Sequence, residues 1–484
     1  MRGSTMYSFS SNRIVALVAT CGLWWSASCS GPAVQIDDAA IRDAATADAN
    51  RGDAQTRTEG GPRTDGALDA GSRIDEIVAA LSNPSTGMDG AEAIRHDVAW
   101  HEGWPLHEGN RWLFVTFWPG HPADVSLVCD CNGWAPGANP AQRSPWDDHL
   151  WVLLSDDEVG NPSGRKYKWW ADGPTWLPPP EATAYDYDDF GEVGYVRPPT
   201  DRAWLERFPD LTTATLPIPR TMRARLPAGF VRGSPAASAR RILFMHDGQD
   251  LFRPDAPWGG WQLGDILEDG WNDVVVLAID SVSDRMDVYT PVPDDINERQ
   301  NWIGGRADAY LDLMLDQVLP FFQSRYGLTH DPARLMVAGS SLGGLVSLYQ
   351  AMTRPNRLAC AAGLSSSLGW GAYAATADGS ATLTRRWPLE RGHGTVALYM
   401  DSGGDVTGQC TDVDGDGIFE DSDDEDNYCV TLQFRDMLLG LGYQESVDLS
   451  YWWQPGVQHN EASWRQRFWR ALSACESAGW TAAP

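Results

Sequence analysis

Two hydrophobic patterns divide the chain. Between residues 95 and 198, short apolar runs are cut by clusters of Gly, Pro, Asn and Asp. Residues 112–118, 125–129 and 151–154 have the β-branched and aromatic content of strands, and 165–170 alternate like a half-buried one. Short strands at this spacing predict an all-β sandwich. From residue 215 the pattern changes. Residues 242–245, 273–280, 334–338, 395–400 and 447–453 read as strands. Helical spacing fills the gaps between them. In residues 307–326, Tyr310, Leu311, Met314, Leu315, Val318 and Leu319 recur three and four apart, and 342–352 and 461–474 read as further helices. Such alternation predicts an α/β domain, a mostly parallel sheet with helices on both faces.

The first 72 residues fit neither pattern. Arg2 and Arg13 precede or border a short apolar run over residues 14–25, which reads as an export signal too short to span a bilayer. Ser26-Ala27-Ser28-Cys29 follows and resembles a bacterial lipobox, which implies lipidation at Cys29. Residues 30–72 are rich in Asp, Ala, Gly, Thr and Arg and cannot bury enough surface to offset chain entropy, so they read as a tether. The expected organisation is a signal over 1–29, a tether over 30–72, a β-module over 73–200 and an α/β domain over 215–484. The expected location is outside the cytoplasm, as an outer-membrane lipoprotein or a secreted protein, with membrane contact only through the lipid.

Composition narrows the function. Lys and Arg number 37 against 66 Asp and Glu, a net charge of −29, which argues against nucleic-acid binding. Nine of the acids lie between Asp412 and Asp426. An oxidising compartment lets thiols pair, and Cys410 with Cys429, which bracket these acids, is the one pairing the sequence suggests.

The chemistry centres on Gly339-Ser340-Ser341-Leu342-Gly343, between a predicted strand and a predicted helix. A G-x-S-x-G at such a junction makes a tight turn that lifts its middle Ser above the sheet, as in the α/β-hydrolase fold. Ser341 is therefore the expected nucleophile, and the Leu342 N–H an expected oxyanion donor. A hydroxyl needs a base. His459 follows the last predicted strand, the place of the last triad member in this fold, with His246, His330 and His393 as alternatives. The acid is expected after the strand ending at Met400, as Asp405 with Asp401 in reserve. The loop His246-Asp247-Gly248-Gln249 follows the first α/β strand, and Gln249 is the expected second oxyanion donor.

Three motifs carry a family resemblance. Met245-His-Asp-Gly-Gln-Asp-Leu-Phe252, Ala338-Gly-Ser-Ser-Leu-Gly-Gly344 and His459-Asn-Glu-Ala-Ser-Trp-Arg465 resemble the esterase family that includes enterochelin esterase and esterase D. Arg285…Tyr289 and Arg306…Tyr310 fit its pattern too, which implies that Arg285 and Tyr289 bind substrate. The resemblance implies an α/β-hydrolase that cleaves a small-molecule or glycan-linked ester, such as a siderophore lactone, through an acyl-enzyme on Ser341, with no catalytic cofactor. Two alternatives are an acyltransferase of the same fold and a carbohydrate-binding lipoprotein with an inactive hydrolase domain. In the β-module, Cys131-Asn-Gly-Trp134, Tyr167-Lys-Trp169 and Gly173…Trp176 resemble an immunoglobulin-like early-set module.

The acidic run departs from the family pattern and has a spacing of its own. Asp412, Asp414, Asp416, Glu420 and Asp423 occupy positions 1, 3, 5, 9 and 12 of a calcium loop, Gly417 occupies position 6, and Ile418 would offer its carbonyl from position 7. A structural Ca²⁺ is expected there.

Overall fold

Leu243 and Met245 pack on one side of a sheet, and Ile242 and Phe244 on the other. That two-sided burial recurs along the central strands and follows from their unbroken apolar sequences. A computed structural model of the protein describes residues 72–482, except 119–123, 146–147, 174, 297–300, 330, 375, 405–409, 413 and 422–425. Cys29, the signal and residues 30–71 of the tether lie outside the described residues. No helix among those described is long and apolar enough to cross a membrane.

Eight strands form the α/β sheet: β1 (Trp204–Leu211), β2 (Arg220–Leu226), β3 (Ile242–Met245), β4 (Val275–Ile279), β5 (Leu335–Ser340), β6 (Cys360–Leu364), β7 (Ala397–Ser402) and β8 (Leu449–Trp453). Their spatial order is 1-2-4-3-5-6-7-8. β3 to β8 are mutually parallel, whereas β1 and β2 run antiparallel at one side. This is the α/β-hydrolase arrangement. The chain leaves β3 towards β4 and leaves β5 towards β6, so the loops after β3 and β5 part over a crevice at their carboxyl ends, where ligands of open α/β sheets bind.

Four helices matter for the site: α1 (Leu263–Glu268), α2 (Leu342–Thr353), α3 (Tyr428–Gly440) and α4 (Glu461–Ser477). α1 and α4 cover one face through Leu263, Leu267, Trp464, Phe468 and Leu472. α2, α3 and the helical segment of residues 307–326 cover the other, with Leu345, Leu348, Phe434, Leu438, Tyr310 and Phe322. The segment is continuous but contains a π-turn over Met314–Val318. A Cys360–Cys475 disulfide ties β6 to α4.

The amino-terminal region corrects two expectations. Residues 73–101 are not part of a β-module but form two helices, Arg73–Ser82 and Gly87–His101. Ile74, Ile77 and Leu81 have the three- and four-residue spacing that buries one helix face, too brief a run to stand out beside the strands. The expected break over 200–215 is instead β1, which pairs through Leu205↔Tyr185 and Glu206↔Ala184 with the strand Ala184–Asp188. The α/β sheet thereby continues into the β-module as one sheet of 14 strands. A separate four-stranded sheet faces its far end. In the strand Arg111–Phe117, Trp112 and Phe114 share a core with Leu127, Tyr167 and Trp169, while Leu113 and Val115 pack on the two helices. That double cover explains a strand whose interior is wholly buried.

Candidate active site

β5 and α2 meet at Ser341, whose φ of 57° and ψ of −124° are costly for a residue with a side chain. The flanking glycines are what make the turn fit. A Cβ on Gly339 would lie 2.6 Å from the Gly343 backbone and 2.9 Å from His246. A Cβ on Gly344 would meet Ser366 Oγ, Gly339 O and Gly363 Cα. Backbone bonds hold the turn from the next strand: Ser341 N–H donates to Leu364 O at 2.9 Å, and Ser367 N–H donates to Ser341 O at 3.2 Å. Ser341 Oγ lies 3.3 Å from Ser367 Oγ, a neighbour the motif does not announce. Leu345 is the residue that donates back to Ser341 O, so the N–H of Leu342 belongs to the first turn, where no intrahelical acceptor exists.

His459 precedes the Asn460 cap of α4. Its Nδ1 lies 2.8 Å from Oδ1 of Asp426, whose side chain is completely buried. A carboxylate only accepts, so Nδ1 carries the proton and Nε2 is left as an acceptor. Asp426 Oδ2 accepts from the Gly403 N–H and from an Arg467 guanidinium nitrogen at 2.9 Å. A Cβ on Gly403 would lie 2.5 Å from both Asp426 Oδ2 and Val457, so the loop after β7 is shaped to receive this carboxylate.

The position expected for Asp405 on His459 is therefore held by Asp426; Asp405 itself lies outside the described residues. The reserve, Asp401, does not reach the imidazole either. It ion-pairs with Arg467 Nε at 2.9 Å, accepts from Tyr399 Oη at 2.9 Å, and burial pushes its carboxyl up to about 6. The acid enters where β7 ends, as expected in space, but the chain first makes the acidic excursion and returns. The one sequence signal was that Asp426 is the last acid of the run, just before the α3 helix.

Among the alternative bases, His246 is buried against Tyr310 Oη at 2.9 Å and is pushed down to about 4 by burial. It is neutral and structural. His393 pairs with Asp448 at the surface, and His330 lies outside the described residues.

In the loop after β3, a Cβ on Gly248 would lie 2.8 Å from Asp280 Oδ1, which fixes how closely this backbone approaches β4. The Gln249 side chain is tied to Ser281, donating to its Oγ at 2.9 Å and accepting from its N–H at 2.9 Å. Asp280 also holds Arg223, which donates to Tyr185 of the β-module, so the module buttresses this loop. Tyr289 is corrected as a substrate contact: it is fully buried and its hydroxyl accepts from Asp247 N–H at 3.1 Å. Arg285 is clamped by Asp247 through two bonds of 2.7 and 2.8 Å, so its charge is already matched. Glu461, two residues past His459, was missed by sequence reasoning; burial, with Asp250 and Asp247 nearby, pushes it up to about 7.

The acidic run folds as a loop in which carboxylate oxygens of Asp412, Asp414 and Asp416 lie within 4.8 Å of one another. Asp412 accepts from Gly415 and Gly417 N–H, and Asp416 from Ile418 N–H. Asp423 and the side chain of Glu420 lie outside the described residues. Cys410–Cys429 closes the base of the excursion, as its bracketing position suggested, and Cys129–Cys131 forms a third disulfide.

Residues 213–474 match the family model described as "Putative esterase". The chain belongs to this family. A curated relative, the uncharacterized protein YbbA of Bacillus subtilis, is 26% identical over 120 residues, 24% of this chain; the chain spans 44% of that relative's length. Among solved structures, the chain is similar to the enterobactin esterase FES of Shigella flexneri, with 14% identity, 75% of this chain and 92% of that one covered, and a TM-score of 0.39. It is also similar to the siderophore hydrolase EstB of Aspergillus nidulans, with 18% identity, 55% and 93% covered, and a TM-score of 0.36.

Proposed function

We propose that the protein is a serine esterase that works through an acyl-enzyme on Ser341. The observation that carries this reading is the strained Ser341 turn above the sheet, together with His459 Nδ1 held on the buried Asp426. In the reaction, Ser341 Oγ attacks the ester carbonyl carbon as His459 Nε2 takes its proton. The tetrahedral oxyanion is stabilised by the N–H groups of Leu342 and Gln249. The C–O bond to the alcohol breaks, and His459 returns the proton to the leaving oxygen. Water then repeats the sequence on the acyl-enzyme and releases the acid. Asp426 fixes the tautomer and stabilises the imidazolium.

The substrate class is a siderophore lactone or a carbohydrate-linked ester. The matched charge of Arg285 favours the neutral, glycan-linked side of that range over a strongly anionic siderophore. A panel of acetylated and feruloylated glycans against triscatechol lactones tests this. Turnover confined to the lactones refutes the preference.

Asp412, Asp414, Asp416 and the Ile418 carbonyl, completed by Glu420 and Asp423, suit a hard cation with oxygen ligands, and we infer that they hold a structural Ca²⁺. Three disulfides fit an exported protein, consistent with an anchor at Cys29. Palmitate labelling of the wild type but not of Cys29→Ser is the expected result for the anchor.

A further inference from the structure

We propose that Arg467 is a positioning residue for the hydrolysis: it holds Asp426 in line with His459. The inference rests on the reading of Ser341, His459 and Asp426 as the reacting machinery.

Arg467 is 1% exposed and lies on α4, two turns after His459. One terminal nitrogen is 2.9 Å from Asp426 Oδ2 and also donates to Ser365 Oγ; its Nε is 2.9 Å from Asp401 Oδ1. A planar guanidinium offers donors in a rigid fork, so its contacts to Ser365 and Asp401 fix the nitrogen that holds Asp426 Oδ2. With Oδ2 occupied by Arg467 and Gly403 N–H, Oδ1 is the oxygen left to face the imidazole.

The placement solves a problem the excursion creates. Asp426 arrives from a segment outside the sheet, whereas His459 is fixed by the start of α4. Arg467 refers the acid to the helix whose start fixes the base, so a shift of the excursion has to break an ion pair as well as the bond to His459. Ser365 joins the same network by accepting from Trp464 Nε1 at 3.0 Å, and the preceding residue, Leu364, holds Ser341 N–H. Arg467 thus holds the acid directly and bonds the residue that follows Leu364. The other groups facing it are Asp401 and, through Asp401, the Tyr399 hydroxyl; Asp401 pins the guanidinium from the opposite side.

Loss of this hold is read in kcat rather than in binding. A purely structural arginine would lower the melting temperature and leave the kcat of the folded enzyme in place.

The test is kcat and KM for Arg467→Met on the whole protein, with melting followed alongside. The expected result is kcat down about a hundredfold, as for a catalytic group displaced by an ångström, with KM within about threefold. Should the single variant fail to fold, Asp401→Asn with Arg467→Gln removes cation and counter-charge together, and the same loss of kcat with little change in KM is expected. A folded variant with wild-type kcat overturns the proposal. Fluorophosphonate labelling of wild-type Ser341, run in parallel, separates this failure from failure of the serine-esterase reading: a label there with no effect at Arg467 sinks only the positioning role.

Discussion

The nucleophile side and the acid side of the site are built in opposite ways. Ser341 sits on an unbroken strand–turn–helix, and its turn is shaped by residues close in sequence and by the ends of the two neighbouring strands. Asp426 comes from an excursion of more than twenty residues between β7 and α3, and docks on Gly403 and Arg467. The first geometry is set by local sterics. The second depends on a long loop being held shut. The nucleophile side should therefore withstand changes in conditions, and the acid side should be where calcium, redox state and substitutions are felt.

The largest expected effect is on the shared machinery. Ser341→Ala should lower kcat by on the order of 10⁶-fold, measured on a chromogenic short-chain ester. Next comes the acid. Asp426→Asn should cost about 10⁴-fold in kcat, by presenting the wrong tautomer, with melting little changed. Asp405→Asn should stay within about threefold of wild type; a reversal of these two would return the acid to the loop after β7.

The disulfides give a sharper contrast. Cys360–Cys475 closes a loop of 115 residues across the core, whereas Cys410–Cys429 closes 19 residues around the acid. Replacing the first pair by Ser should lower stability by about 2–5 kcal/mol in denaturant melts and leave the kcat of the folded enzyme nearly intact. Replacing the second should lower kcat at least tenfold, with a smaller loss of stability, because only two residues separate Cys429 from Asp426. Equal loss of kcat in both would erase the distinction between the two sides. The smallest effect expected is from chelation: EGTA should lower the melting temperature by about 2–4 °C and reduce activity in parallel, both restored by Ca²⁺. An unchanged melt contradicts a bound structural calcium.

The same contrast explains what was legible in the sequence. Ser341 could be read from five residues because a tight turn must be made by glycines wherever it occurs. His459 could be read from its order along the chain. The α/β sheet could be read because fully apolar four- and five-residue runs have few other uses. Asp426 could not, because its partner lies 33 residues away and the local sequence has the spacing of a metal loop. Tyr289 misled for a related reason: sequence does not distinguish a hydroxyl that meets substrate from one that satisfies a buried backbone N–H. The join of the two sheets through Leu205 and Tyr185 is also a pairing of segments distant in sequence, which composition cannot signal. Two short helices before it were lost beside stronger strand patterns.

The central claim is that Ser341 is activated by His459 on Asp426. Its most direct test is labelling by a fluorophosphonate, with the modified peptide mapped by mass spectrometry and the rate measured in wild type, Ser341→Ala and Asp426→Asn. The expected result is a label on Ser341 alone, no label in Ser341→Ala, and labelling slowed by orders of magnitude in Asp426→Asn. A label on another residue, or equal rates in wild type and Asp426→Asn, would contradict it.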